Sequence, residues 1–325
     1  MTQPLISICL PTCNQPTSLE TTLTSFIDQD NTDIEILIRD DSQQDISNYI
    51  VSKYKDLPIQ YFKMEKGGID LAILWLLNKS KGKYVWIFGD DILEKKSIQN
   101  VKKIIKSYNP SLIYLNSFCI ENNNVSINHH NYIGSDKNFF LNLIKDQMGF
   151  CSALVMKSEK IQECLPASNK FIGSCWLTLF LSLGVLNNSQ KLIYDNRLFF
   201  KSHFKPPGES RWYDSYLVHC IYYSKVLNYY KFKFNSQLII KLINIKYLNS
   251  VKAVLSERGK NLTTGYASRG NKIFVTLHEF WYNFRTYPIL FFLSLPNFLI
   301  VFLYKSYKKM VGFKGNLNLL NRFQK

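Results

Sequence analysis

Over the first 118 residues, short β-branched apolar runs alternate with segments whose apolar positions recur every three or four residues. Leu5–Leu10, Ile34–Ile38, Ile59–Phe62, Tyr84–Phe88 and Leu112–Leu115 read as strands. Between them, Leu19, Leu23, Phe26 and Ile27, then Ile46, Tyr49, Ile50 and Tyr54, then Ile98, Val101, Ile104, Ile105 and Tyr108 mark single helix faces. Residues 69–79 are apolar nearly all round, the pattern of a buried helix. A parallel pair of strands needs a long crossover, and here each crossover has the period of a helix. The expected fold class is therefore α/β: a mainly parallel, Rossmann-like sheet flanked by helices on both faces.

The rhythm loosens after residue 118. Residues 121–135 form a polar stretch rich in Asn and His and read as a loop. Phe150–Met156, a helical 172–186 and a strand at 191–200 follow. Beyond 205 the strand signals stop, and 211–256 and 271–311 read as helices joined by a polar link. Charge divides the chain at the same place. Of a formal net +16, none lies in residues 1–200, where 20 basic and 20 acidic residues cancel. Residues 201–325 carry the other 20 basic residues and only Glu209, Asp214, Glu257 and Glu279. This predicts two parts, 1–204 as a ligand-binding domain and 205–325 as a helical, basic region whose partner is an acidic surface. The seven cysteines include no C-x-x-C pair, and Met1-Thr2-Gln3-Pro4 has no basic leader segment, so reduced thiols in a cytoplasmic setting are expected.

In an open α/β sheet, ligands bind beyond the carboxyl ends of the strands. Those ends carry Pro11-Thr12-Cys13-Asn14, Asp40-Asp41-Ser42, Gly67-Gly68 and Gly89-Asp90-Asp91. Two carboxylate pairs thus meet on one sheet edge. A nucleoside diphosphate would be repelled by carboxylates alone. A hard divalent cation held by Asp91 would reconcile the two and would stabilise charge growing on a diphosphate leaving group. Asp90 would hold the ribose or support the metal, Asp41 would accept a hydrogen bond from the base, and Gly68 would let the backbone approach closely. Each motif also has an ordinary reading, Asp-Asp-Ser as a helix cap and Gly-Asp-Asp as a solvated turn.

Leu5–Asn14, Ile34–Ser42 and Gly82–Asp91 together resemble the N-terminal half of family 2 glycosyltransferases of the GT-A fold. The wording of Trp86–Leu93, with Phe150–Lys157 and Phe171–Ser174, is closest to the O-antigen branch that includes abequosyltransferases. The resemblance implies a transferase that uses Mg²⁺ or Mn²⁺ bound at Asp91. It implies a nucleotide sugar beside Pro11, Thr12, Asn14, Asp41, Gly68 and Asp90. Two departures stand out. Cys13 occupies a usual tyrosine position. Ser174-Cys175-Trp176 occupies the place where many members carry an acidic pair that supplies the catalytic base, and neither Ser nor a neutral Cys is a strong base. His203 is the candidate base in its stead, with Asp195 and Glu209 behind it.

Tyr287–Tyr304 is an uncharged run of 18 residues broken by Pro288 and Pro296, with aromatics and cations at its edges, which predicts an interfacial membrane segment. The functional expectation is sugar transfer from a nucleotide sugar to a lipid-linked oligosaccharide, at the cytoplasmic face of a bacterial inner membrane and without a nucleic-acid partner. The alternative is a basic nucleic-acid-binding protein with a degenerate α/β domain. Acids at the ligand edge weigh against that alternative, because without a metal they repel phosphate.

Overall fold

A computed structural model describes residues 3–120, 123–202, 217–259 (251–259 as backbone), 291, 294–296 and 298–306. The strands are β1 (Ile6–Thr12), β2 (Ile34–Asp40), β3 (Ile59–Lys63), β4 (Tyr84–Ile87), β5 (Ile92–Leu93), β6 (Leu112–Cys119), β7 (Asn124–Val125), β8 (Tyr132–Gly134), β9 (Leu154–Lys157) and β10 (Leu192–Ser202). The helices are α1 (Pro16–Thr24), α2 (Ile46–Val51), α3 (Ile69–Lys79), α4 (Ser97–Tyr108), α5 (Lys137–Ile144), α6 (Ser158–Gln162), α7 (Leu165–Ser168), α8 (Leu177–Asn187), α9 (Tyr223–Tyr229) and α10 (Ser236–Gly259).

One sheet runs β3-β2-β1-β4-β9-β6-β10-β5, with β7 on β6 and β8 on β10. Strands β3, β2, β1 and β4 are parallel, as are β6 and β10. All seven residues of β2 are buried, as a strand covered by helices on both faces requires. The close fit of β4 to β1 depends on Gly82. A Cβ there would come within 2.4 Å of the Ser7 backbone nitrogen, and the Gly82 N–H donates to Ser7 Oγ at 2.7 Å.

Three segments differ from the sequence expectation. The polar stretch 121–135 contains the short antiparallel strands β7 and β8. The Phe150–Met156 run opens as a tight turn at Cys151–Ala153, so only Leu154–Lys157 is strand, and it lies antiparallel between β4 and β6. The helix expected over 211–256 is interrupted between α9 and α10. There Tyr230 and Phe234 turn inward, each 7% exposed, and Tyr230 donates its hydroxyl hydrogen to Phe180 O at 3.0 Å.

The chain divides into two compact units, Met1–Phe204 with Val226–Ile239, and Lys205–Lys225 with Ile240–Lys325. The first holds the sheet and helix α8, which is buried from Leu177 to Leu186. In the second, Val218, Ile221, Leu242, Ile243, Tyr247 and Ile300 are buried. Among the described residues no helix is long and apolar enough to cross a membrane.

Candidate active site

The loops after β1 and β2 are stitched together. The Asp41 N–H donates to Thr12 O at 3.0 Å, the Asn14 N–H to Ser42 Oγ at 2.6 Å, and the Gln43 N–H to Asn14 Oδ1 at 3.3 Å. Asn14 has a positive φ of 53°, a conformation that Asn tolerates better than most residues. Pro11, Thr12 and Cys13 are half-buried beside it. Burial raises the Cys13 thiol, and the positive charge of Lys66 opposes that rise.

The two acids after β2 have different tasks. Asp40 is fully buried. Its carboxylate accepts from the Ser42 N–H at 2.8 Å and the Ser42 hydroxyl, from Tyr61 OH at 2.8 Å and from Lys63 Nζ at 3.1 Å. Burial by itself pushes this carboxyl up. The hydrogen bonds from Ser42, Tyr61 and Lys63 outweigh it and hold the group below its ordinary value. Asp40 is therefore a structural acid. Asp41, 4% exposed, pairs with Arg39, whose Nε lies 2.7 Å from Oδ1 and Nη2 3.3 Å from Oδ2. The Gly67 N–H donates to Oδ2 at 2.9 Å. This ties the β2 edge to the glycine pair, where Gly68 sits at φ +83° with open space about its Cα. A carboxylate accepts about four hydrogen bonds, so Asp41 retains acceptor capacity for a base.

Gly89, Asp90 and Asp91 follow β4. The Gly89 N–H donates to Ser152 Oγ at 2.8 Å, and the Trp86 indole N–H to Ser152 O at 2.8 Å. Asp90 is half-buried, and Asp91 is 3% exposed rather than an open loop acid. Thr22 Oγ1 donates to Asp91 O at 3.0 Å, which fixes the loop onto α1. A Cβ on Gly89 would lie 3.8 Å from Asp91 Oδ2 and 3.6 Å from Cys151 Sγ. Burial, then the charge of Asp91, pushes the Cys151 thiol up to about 12.

Among the described residues no three His, Cys, Asp or Glu side chains cluster for a metal. Mg²⁺ or Mn²⁺ does not need such a cluster. Such a cation takes one or two protein carboxylates and completes its oxygen shell with phosphates and water. Asp91 and the half-buried Asp90 beside it are the carboxylates that would offer such a cation oxygen donors.

The expected base position is a clamp. Asp70, on the first turn of α3 and 3% exposed, accepts from the Cys175 N–H at 2.8 Å and the Leu177 N–H at 3.2 Å. It thereby caps α8 from another helix. Cys175 is held at φ +62°, and the half-exposed Trp176 ring packs where a Cβ on Gly149 would be, 2.6 Å from that point. Burial, then Asp70, pushes the Cys175 thiol up to about 12, so it remains protonated at neutral pH. Asp195, the reserve base, is locked by Arg197 through contacts of 2.7 to 3.2 Å and lies inside β10, which removes it from the reserve. His203 and Glu209 lie outside the described residues.

Arg39, Asp70 and Ser152 are site residues that the sequence expectations do not contain. Asp70 and Ser152 act on partners 105 and 63 residues away, beyond any local spacing. The Phe150–Lys157 resemblance was the one signal toward Ser152.

A mostly parallel sheet with stitched loops after β1 and β2 facing a Gly-Asp-Asp turn after β4 is the GT-A glycosyltransferase architecture. Solved structures share it. S. aureus TarS 1–349 in complex with UDP-GlcNAc superimposes with a TM-score of 0.58 at 14% identity, over 78% of each chain. The mannosyltransferase PcManGT from Pyrobaculum calidifontis, in complex with GDP-Man and Mn²⁺, does so with a TM-score of 0.53 at 13% identity, over 93% of this chain and 86% of that one. Residues 7–165, just under half of the chain, match the sequence profile of Glycosyl transferase family 2.

Two curated relatives are an uncharacterized glycosyltransferase of Rickettsia typhi and the abequosyltransferase RfbV of Salmonella typhimurium. The first is 26% identical over 204 residues, covering 61% of this chain and 58% of its own length. The second is 27% identical over 217 residues, covering 58% of this chain and 63% of its own. The chain thus spans about three-fifths of the length of these relatives.

Proposed function

We propose that this protein is a metal-dependent glycosyltransferase that moves a hexosyl or deoxyhexosyl group from a nucleotide sugar to a lipid-linked oligosaccharide, in O-antigen or related surface-polysaccharide synthesis. The observation that carries the reading is the convergence of Asp41 and the Asp90–Asp91 pair on one sheet edge within a family 2 domain. The likeness to an abequosyltransferase supports the O-antigen assignment. It also favours a transferase over the nucleic-acid alternative.

In this reading, Asp41 and the 11–14 loop hold the nucleoside, Gly68 leaves room for the donor, and Asp90 holds the ribose. Asp91 would hold Mg²⁺ or Mn²⁺, which when bound neutralises the diphosphate and stabilises its departure. Cys175 stays protonated and Asp195 is already paired, so an inverting transfer would pass the acceptor hydroxyl's proton to His203, with Glu209 in reserve, and a retaining transfer would pass it to the departing phosphate. The membrane assignment is supported by helix 298–306. Its Phe298 and Phe302, 75% and 65% exposed and one turn apart, face outward while Ile300 is buried. A peripheral position on the cytoplasmic face of the inner membrane is part of this reading.

The test supplies UDP-, GDP-, CDP- and dTDP-sugars with Mn²⁺ and a bacterial lipid extract. The expected result is metal-dependent transfer of label from one donor class into the lipid fraction. Absence of both transfer and donor hydrolysis across the panel overturns the reading.

A further inference from the structure

We propose that the turn between α9 and α10 is a membrane contact of the catalytic unit, with Phe232 entering an anionic bilayer between Lys231 and Lys233; this rests on the membrane reading above. Phe232 is 89% exposed, far more than any other described phenylalanine of this unit. The turn that presents it is rigid. Tyr230 and Phe234 on either side are each 7% exposed. The Lys233 N–H donates to Tyr230 O at 2.9 Å, and the Asn235 N–H donates to Asn138 Oδ1 at 2.8 Å. Tyr229 and Tyr230 pack on Phe180 with ring centroids 5.6 Å away. An aromatic ring on a preformed apex loses little conformational freedom when it enters another phase.

The surroundings select the partner. Lys231 Nζ lies 5.9 Å from the Phe232 ring centroid, and Lys170 Nζ 5.6 Å from that of the half-exposed Tyr229. Lys233 and Lys170 are exposed. Asp136, the capping acid of the adjoining helix α5, is occupied by the Asn138 and Phe139 N–H groups. An outward phenyl ring flanked in sequence by Lys231 and Lys233 is complementary to an anionic headgroup layer over hydrocarbon. A second copy of the same patch would be repelled by its lysines. A nucleic acid would answer the lysines but would leave a protruding apex, not a groove, to accommodate it.

The test sediments full-length protein with vesicles of phosphatidylcholine alone or with about 30% phosphatidylglycerol, at about 0.1 M salt. Wild type should favour the anionic vesicles. Lys231→Ala/Lys233→Ala should lower that partition about 25-fold, roughly fivefold for each cation near an anionic surface. Phe232→Ala should lower it about 10-fold, with unchanged melting because the ring is outside the core. Wild-type binding that both variants retain in full overturns this inference alone. No wild-type binding to either vesicle overturns it together with the membrane reading. Loss of binding to an RNA oligonucleotide in Phe232→Ala, with vesicle binding intact, assigns the patch to nucleic acid and also overturns it.

Discussion

Removing the Asp41 carboxylate should damage the fold as well as donor binding, and the two effects can be separated. In the Arg39–Asp41 pair the side chains are 8% and 4% exposed. Deleting one partner of a buried pair leaves an uncompensated charge and costs about 3–5 kcal/mol. Arg39 keeps contacts to the carbonyls of Glu65 and Leu71, each at 3.4 Å, and its guanidinium carbon stays 5.7 Å from the Trp75 ring centroid. These place Asp41→Ala at the low end, about 3 kcal/mol. At roughly 2–4 °C per kcal/mol for a domain of this size, melting should fall by about 6–12 °C. Arg39→Ala/Asp41→Ala removes both charges, so its loss should be smaller than the sum of the single losses by more than about 1 kcal/mol. Calorimetry on the four proteins measures this coupling. Below the melting range, Asp41→Ala should raise the donor KM more than it lowers kcat. An Asp41→Ala melt within about 1 °C of wild type, or additive losses in the double variant, would refute the role given to the pair.

Asp70→Ala should leave the Cys175 and Leu177 N–H groups at the head of α8 without their acceptor, at a cost of about 1–3 kcal/mol. Hydrogen exchange should accelerate in the first turn of α8 before the sheet, and unchanged exchange there would count against the clamp. Asp40 sets a pH dependence. Its folded carboxyl is held below the ordinary value, so its stabilising contribution is complete above about pH 4 and is lost as pH falls through the lowered folded value. Asp40→Asn should flatten the acid limb of stability against pH, and an unaltered slope would contradict this.

The parallel half of the sheet was legible in the sequence for a physical reason. Strands covered on both faces read as near-continuous apolar runs, and β4 is buried from Tyr84 to Ile87. The carboxylates were legible because chain direction alone puts residues after β2 and β4 on one edge. Strand β9 was not, because nothing in Leu154–Lys157 distinguishes an antiparallel neighbour from a parallel one. The division of labour between Asp40 and Asp41 was also hidden, since it depends on Tyr61, Lys63 and Gly67, which another strand and loop bring in. Asp70 looked like one polar residue in an apolar helix. Its function appears only when α8 arrives. The Asp195–Arg197 pair, two residues apart, was within reach of local reading.

The central claim is that Asp91 and the loops after β1 and β2, on the same sheet edge, form one metal-dependent site for a nucleoside diphosphate. Melting of wild type and Asp91→Asn, each with UDP, GDP, CDP or dTDP in Mn²⁺ or in EDTA, tests it directly. At a ligand concentration of about 100 Kd, one nucleotide should stabilise wild type in Mn²⁺ by about 2.7 kcal/mol. EDTA should remove that gain. Asp91→Asn, nearly the same shape, should show none of it while remaining folded. Equal stabilisation in EDTA, or a full response in Asp91→Asn, would contradict the account.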